Sequence, residues 1–324
     1  MKKSVIAAAL AALAVFAWIG VTQAQGWPAK PVTLVNPFAP GGGVDAFGRP
    51  LSVYLSRTTG QQFLVENMAG AGGTVGAASA AKRSPDGYTF FLGAVHHTIA
   101  ESLYARLPYA LQRDFVPITV LAYVPNVVVM HPKHANINSI QDLIAHARAN
   151  PGALNFGSAG NGTTHHLAGE LFKTMTGVDM THVPYKGRAS AIPDLLGGRV
   201  TRMFDNMPSS LPLVKEGKLR ALGVTSLKRS AAAPDIPTIA EQGLPGFEAV
   251  SWFALFAPAG TPRPIVDRLQ GEVRKILAAP DIAKKLGEIG LDPVGSTPDE
   301  LAAWQRSEIA KWAKVVKDSG AKPE

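Results

Sequence analysis

Thr33-Leu34-Val35-Asn36-Pro37-Phe38-Ala39-Pro40-Gly41-Gly42-Gly43-Val44-Asp45 carries an apolar run into a loop of proline and glycine, and a helix-like pattern begins at Asp45. Consecutive glycines bare their backbone N–H groups, and the following helix adds its free N–H groups and the positive end of its dipole. The main chain thus offers donors to an anion or polar ligand group without side-chain charge. The design returns about 120 residues later in Leu154-Asn155-Phe156-Gly157-Ser158-Ala159-Gly160-Asn161-Gly162-Thr163-Thr164. Thr163 or Thr164 can cap the second helix. Two such strand–loop–helix units imply a ligand caught between two lobes.

Strands and helices alternate outward from the first unit. Val32 to Val35, Gln62 to Glu66 and Tyr88 to Gly93 read as strands, separated by helical spacing over Pro50 to Thr58 and Thr74 to Lys82. That order predicts parallel pairing with helices on both faces. Phe115 to Met130 is apolar, nearly uncharged and broken by Pro117 and Pro125, as expected of two strands passing from one lobe to the other. The alternation then restarts and runs to Thr225. Ser251 to Ala257 is a second extended apolar run, able to carry the chain back. Pro264 to Ala278, Asp281 to Ile289 and Pro298 to Val316 show helical apolar spacing. The expected architecture is α/β with two lobes, each a mainly parallel sheet flanked by helices, and two crossover strands as the hinge. Residues 25–125 and 250–324 would form the first lobe, and 126–249 the second.

Lys2 and Lys3, the apolar run Val5 to Val21 and the small-residue end Thr22-Gln23-Ala24 read as a secretory signal peptide over 1–24. The expected location is the periplasm; an uncleaved anchor is the alternative. Removing both lysines lowers the formal charge from +8 to +6. Bases are dispersed, with no block of five, which argues against nucleic acid. Cysteine is absent, so thiol chemistry and cysteine-held metal are excluded. No cofactor is expected.

Nucleotide and hydrolase chemistry each lack a decisive residue. Gly157 and Gly162 have P-loop spacing, but Thr163 stands where the lysine belongs. Phe156-Gly157-Ser158-Ala159-Gly160 lacks the first glycine of a nucleophile elbow. Ser158 with His166 is the one nucleophile–base pair worth weighing, and a secreted α/β hydrolase is the alternative function. His166 and Glu170 share a helix face at i, i+4 but fall short of a metal site. His96 and His97 follow the third strand, where strand ends meet a cleft. Asp205 ends another strand, as a cleft residue or a cap of the Pro-Ser-Ser turn after it.

A series of motifs runs through Trp27-Pro28-Ala29-Lys30-Pro31, Pro37-to-Asp45, Val65-Glu66-Asn67, Gly70-Ala71-Gly72-Gly73 and Pro85-Asp86-Gly87-Tyr88. It continues through Ser158-to-Lys173, His182-Val183-Pro184-Tyr185-Lys186-Gly187, Asp194-to-Gly198, Met203-Phe204-Asp205, Leu219-to-Leu222 and Pro237-to-Glu241. In their order and spacing the chain resembles the Bug family of periplasmic solute receptors, the TctC-like binding component of tripartite tricarboxylate transporters. Met68-Ala69 departs from the Arg-Pro usual after Glu-Asn.

The resemblance implies a type II Venus-flytrap receptor holding a small carboxylated metabolite through two loops and bridging waters. By motif, the first loop supplies Phe38, Ala39, Gly41, Gly42 and Asp45. The second supplies Ser158, Ala159, Gly162, Thr163 and His166, with Phe204 and Asp205 at the next cleft-facing strand end. His96, with Val95, His97 and Trp252, is expected to set ligand choice. Facing a ligand carboxylate, Asp45 would repel it unless water or an amino group intervened; the alternative is that it caps its own loop. Membrane transporter subunits or a sensor kinase are the expected partners, of a monomer.

Overall fold

The computed structural model describes residues 26–133 and 136–323, with residue 46 by its backbone alone. The predicted signal segment lies outside the described residues. Among those residues no helix is long and apolar enough to cross a membrane.

The first unit is β1 (Val32–Asn36), α1 (Gly43–Thr59), β2 (Phe63–Asn67), α2 (Thr74–Ala81) and β3 (Thr89–Ala94). Next come α3 (Val95–Leu103), a helical turn α4 (Leu111–Asp114), β4 (Phe115–Val124) and β5 (Asn126–Met130). The middle of the chain forms α5 (Ile140–Ala149), β6 (Asn155–Ser158), α6 (Thr164–Thr176), β7 (Thr181–Pro184) and α7 (Arg188–Leu196). It continues with β8 (Arg202–Asn206), α8 (Met207–Lys215) and β9 (Arg220–Val224). The remainder is β10 (Ser251–Pro258), α9 (Arg263–Ala278), α10 (Pro280–Glu288), β11 (Asp292–Pro293) and α11 (Pro298–Ser319).

These strands build two sheets, in the orders β11-β4-β10-β3-β1-β2 and β7-β6-β8-β5-β9. Both sheets are mixed rather than mainly parallel. In the first, β1 runs parallel to β2 and β3, but β10 is antiparallel to β3 and β4. In the second, β6 is parallel to β7 and β8, while β5 is antiparallel to β8 and β9. The physical reason is the crossing itself. A strand that leaves one sheet for the other reaches its new neighbours from the opposite end, so βαβ handedness no longer governs its direction.

The crossing breaks at Pro125, between β4 and β5. Pro117 stays inside β4, opposite Phe256, beside a register shift that accommodates its missing N–H. The return path is stitched to the outgoing one: Ser251 pairs with Val124, and Thr225 Oγ1 accepts from the Asn126 amide at 2.9 Å.

Helix α3 is an element the alternation did not reveal. Its apolar positions Val95, Ile99 and Leu103 recur at i, i+4, i+8 and are buried, a pattern masked by the two histidines between them. A continuous core includes Val35, Phe91, Ile99, Phe156, Phe204, Trp252 and Trp312, so both sheets share buried surface. Helix α11 packs on both α3 and α6.

Candidate ligand-binding cleft

The first loop is held by Asp45, which is 4% exposed. Its Oδ2 accepts from the Gly41 amide at 2.9 Å and from Arg49 Nε at 2.8 Å. Its Oδ1 accepts from Asn36 Nδ2 at 3.2 Å and Asn67 Nδ2 at 3.0 Å. Burial pushes this carboxyl upward, but the Arg49, Gly41 and Asn67 hydrogen bonds outweigh it and leave the group below its ordinary value. Asn36 Oδ1 accepts from the Phe38 amide at 3.1 Å, and Asn67 Nδ2 also reaches Phe38 O at 3.0 Å. These bonds fix the loop's shape and leave Asp45 committed within it.

Helix α1 then starts at Gly43 with no side-chain cap on its amides, so its first N–H groups have no intrahelical acceptor. Gly43 packs closely against the facing elements. A Cβ there would stand 3.0 Å from Phe253 Cζ and 3.4 Å from Asn206 Oδ1. Phe38 is half-buried beside His96, at 4.9 Å between ring centroids, while Ala39 and Gly41 are exposed.

The second loop is wired differently. Ser158 Oγ lies 2.7 Å from His182 Nε2 and accepts from the Gly160 amide at 3.1 Å. Thr163 caps α6: its Oγ1 accepts from the His166 amide and donates to Gly160 O at 2.7 Å. His166 Nδ1 accepts from the Gly162 amide at 3.1 Å, and its ring stacks on His182 at 3.9 Å. Ala159 is half-buried at the loop's edge. With these bonds made, the Thr164 and His165 amides at the start of α6 have no acceptor among the described residues.

The nucleophile–base pair of the hydrolase alternative, Ser158 with His166, is therefore not assembled among the described residues. Ser158 is bonded to His182, and His166 is spent on Gly162 and the ring stack. His182 belongs to the His182-to-Gly187 motif, yet its role needed the parallel pairing of β6 with β7 to appear.

Between the loops lies a polar group centred on His165, which is 4% exposed. His165 Nε2 is 3.2 Å from Asn206 Oδ1 and 3.7 Å from Asp205 Oδ1. Asp205 Oδ2 accepts from Arg188 Nε at 2.7 Å and from Ser210 Oγ at 2.5 Å. Burial lowers His165 below its ordinary value, against the nearby Asp205. Burial, and after it repulsion from His97 and His165, pushes His96 well below the histidine range. Both rings are thus neutral near pH 7.

Several expected residues sit elsewhere. Phe204 is fully buried between Phe156 and Phe172, because strand alternation turns it away from the face that Asp205 occupies. Trp252 is in the core, donating to Glu308, and Val95 belongs to the same core. His97 Nδ1 accepts from the Ala94 amide at 3.0 Å and so closes the start of its own helix. Conversely, His165, Arg188, Asn206 and His182 carry geometry the sequence did not assign to them. Asn206 follows Asp205 at the end of the Met203-Phe204-Asp205 motif, which was the available signal.

The family described as the tripartite tricarboxylate transporter family receptor matches residues 48–321. A "UPF0065 protein in tcbD-tcbE intergenic region" of Pseudomonas sp. (strain P51) is 42% identical over 311 residues, covering 95% of this chain and 92% of the relative. The solved structure "R. palustris Rpa4515 with adipate" superposes with a TM-score of 0.88 at 42% identity, over 92% of this chain and 100% of that one. "Structure of periplasmic binding protein BugD" gives 0.85 at 34% identity, over 92% and 100%. The two-sheet architecture is that of these two-lobe binding proteins, and the chain belongs to the tripartite tricarboxylate transporter receptor family.

Proposed function

We propose that this receptor captures a small carboxylated metabolite between the starts of α1 and α6. One relationship carries the reading. Gly43, at the start of α1, abuts Asn206 Oδ1, which lies 3.2 Å from His165 Nε2 at the start of α6. The start of α1, which has no side-chain cap, and the start of α6, capped by Thr163 only at the His166 amide, thus meet across one side chain, and their remaining N–H groups and dipoles favour an anion. The adipate that accompanies the R. palustris neighbour is consistent with that class.

In this reading residues 25–125 and 250–324 form one lobe and 126–249 the other, with the crossings at Pro125 and before Ser251 as the hinge. The ligand shifts an open–closed balance because it touches both lobes only when they are shut. Ala39, Gly42, Ala159 and Phe38 border the ligand; Gly41, Asp45, Ser158, Gly162, Thr163 and His166 hold the loops that present it; His96 and Asp205 face it. The loaded receptor, a monomer exported to the periplasm by its signal segment, delivers the ligand to membrane transporter subunits or presents it to a sensor kinase. It does no chemistry on the ligand.

Thermal unfolding with mono-, di- and tricarboxylates tests this. A ligand at about 100 times its Kd stabilises the folded chain by about 2.7 kcal/mol. No response to any carboxylate overturns the reading.

A further inference from the structure

The cleft contains buried polar atoms that a carboxylate does not satisfy. His165 is the first. Asn206 Nδ2 donates to Asn126 Oδ1 at 2.7 Å and to Ser251 Oγ at 3.2 Å, which turns Asn206 Oδ1 toward His165. Asp205 Oδ1, 3.7 Å away, adds negative potential on the same side of the ring. Both place the proton of the neutral imidazole on Nε2. His165 Nδ1 is then a bare acceptor, buried and without a hydrogen-bond partner among the described residues.

Asp205 supplies the second acceptor. Arg188, Ser209 and Ser210 all address its Oδ2, at 2.7, 3.4 and 2.5 Å. Its Oδ1 has no hydrogen-bond partner among the described residues, and the residue is fully buried. Beyond His165, the Nδ1 of His96 is also buried and unpaired among them. Asn126 Nδ2, an unpaired donor by the same measure, belongs to the amide network behind Asn206.

A buried acceptor without a donor is costly, more so when it is charged. A carboxylate brings acceptor oxygens only, and its charge opposes Asp205. From this juxtaposition we infer that the ligand carries a hydroxyl or ammonium group besides its carboxylate, placed against His165 Nδ1 and Asp205 Oδ1, where an ammonium donates to both and a hydroxyl to one of them. The inference rests on the receptor reading above and narrows it, from carboxylates in general to hydroxy- and aminocarboxylates.

Calorimetric titration of the purified chain with matched triples tests it: succinate, malate and aspartate; butyrate, 4-hydroxybutyrate and 4-aminobutyrate; hexanoate, 6-hydroxyhexanoate and 6-aminohexanoate. In at least one triple a donor-bearing member should bind about tenfold or more tighter than the unsubstituted acid. That ratio should fall to near one in both His165→Phe and Asp205→Asn. Should one variant fail to fold, the other and the wild-type ratios still decide. Equal affinities throughout every triple would mean that water fills the position, and would overturn the inference while leaving the receptor reading intact. A ratio kept in the folded variants overturns it too. Failure of every carboxylate to bind removes the receptor reading and this inference together.

Discussion

Ser158 Oγ lies 2.7 Å from His182 Nε2, and this bond anchors the floor of the second loop. The same oxygen accepts from the Gly160 amide, and the His182 ring lies 3.9 Å from His166 with a 10° tilt. The hydroxyl is therefore a structural post in a stack of neutral rings.

Ser158→Ala should cost about 1–3 kcal/mol, because the buried Gly160 amide loses its acceptor. Urea denaturation at pH 7.5 checks it. The variant should also lose thermal response to a carboxylate that stabilises the parent.

Acid should weaken the fold through the stacked histidines. Burial, helped by repulsion from neighbouring cations, lowers His182 to about 4 and His166 to about 3, from 6.5. The unfolded chain regains the ordinary value and so binds protons first as the pH drops. These groups leave stability untouched above about pH 6.5 and reduce it as pH falls from there through about 4 toward about 3. Urea midpoints at pH 7.5 and 5 should show the drop, and His182→Gln should shrink it. A midpoint that rises on acidification contradicts the assignment.

Gly162→Ala should be destabilising in two separable ways. Gly162 has φ 73°, a left-handed conformation costing about 1–2 kcal/mol for a side chain. Its new Cβ would also collide with Leu103 Cδ2 on α3. Adding Leu103→Ala removes the collision but not the backbone strain, so the double variant should recover part of the carboxylate affinity lost by Gly162→Ala. Calorimetry on the parent, Gly162→Ala and the double variant measures this.

Asp45→Ala should lower stability by about 2–4 kcal/mol, since it strips an acceptor from several buried or half-buried donors. The depressed carboxyl pKa adds a sign: its stabilisation is present above the ordinary value of 3.8 and is lost as pH falls through the lower folded value. The variant's midpoint should therefore depend less on pH below 4 than the parent's.

Glu308→Leu should be the most damaging change far from the loops. Glu308 Oε2 accepts from Trp252 Nε1 and Trp312 Nε1, each at 2.9 Å. Two orphaned indole N–H groups cost about 2–6 kcal/mol. Glu308→Gln keeps an acceptor and should cost less. Circular dichroism melts of both variants order them.

Local patterns carried most of the fold. Proline and glycine punctuation located the two loops, and helical spacing over Pro298 to Val316 placed α11 within its observed ends, Pro298 and Ser319. The double proline break at 117 and 125 signalled a crossing, although only Pro125 ends a strand. Helix α3 escaped because its buried stripe, Val95, Ile99 and Leu103, is interrupted by polar residues whose burial depends on neighbours distant in sequence.

The sequence by itself determined where main-chain donors are exposed, because glycine runs and helix starts act within a few residues. It also determined that no P-loop lysine or nucleophile elbow accompanies them. Only the tertiary structure decided which side chains those donors keep for themselves. Asp45 closes on its own loop, Phe204 turns into the core, and Ser158 takes His182 rather than His166. Each outcome depends on strand register and sheet order, which bring together residues such as Ser158 and His182, 24 positions apart. The meeting of Gly43, Asn206 and His165 was likewise beyond local reading, since it joins two sheets across a crossing strand.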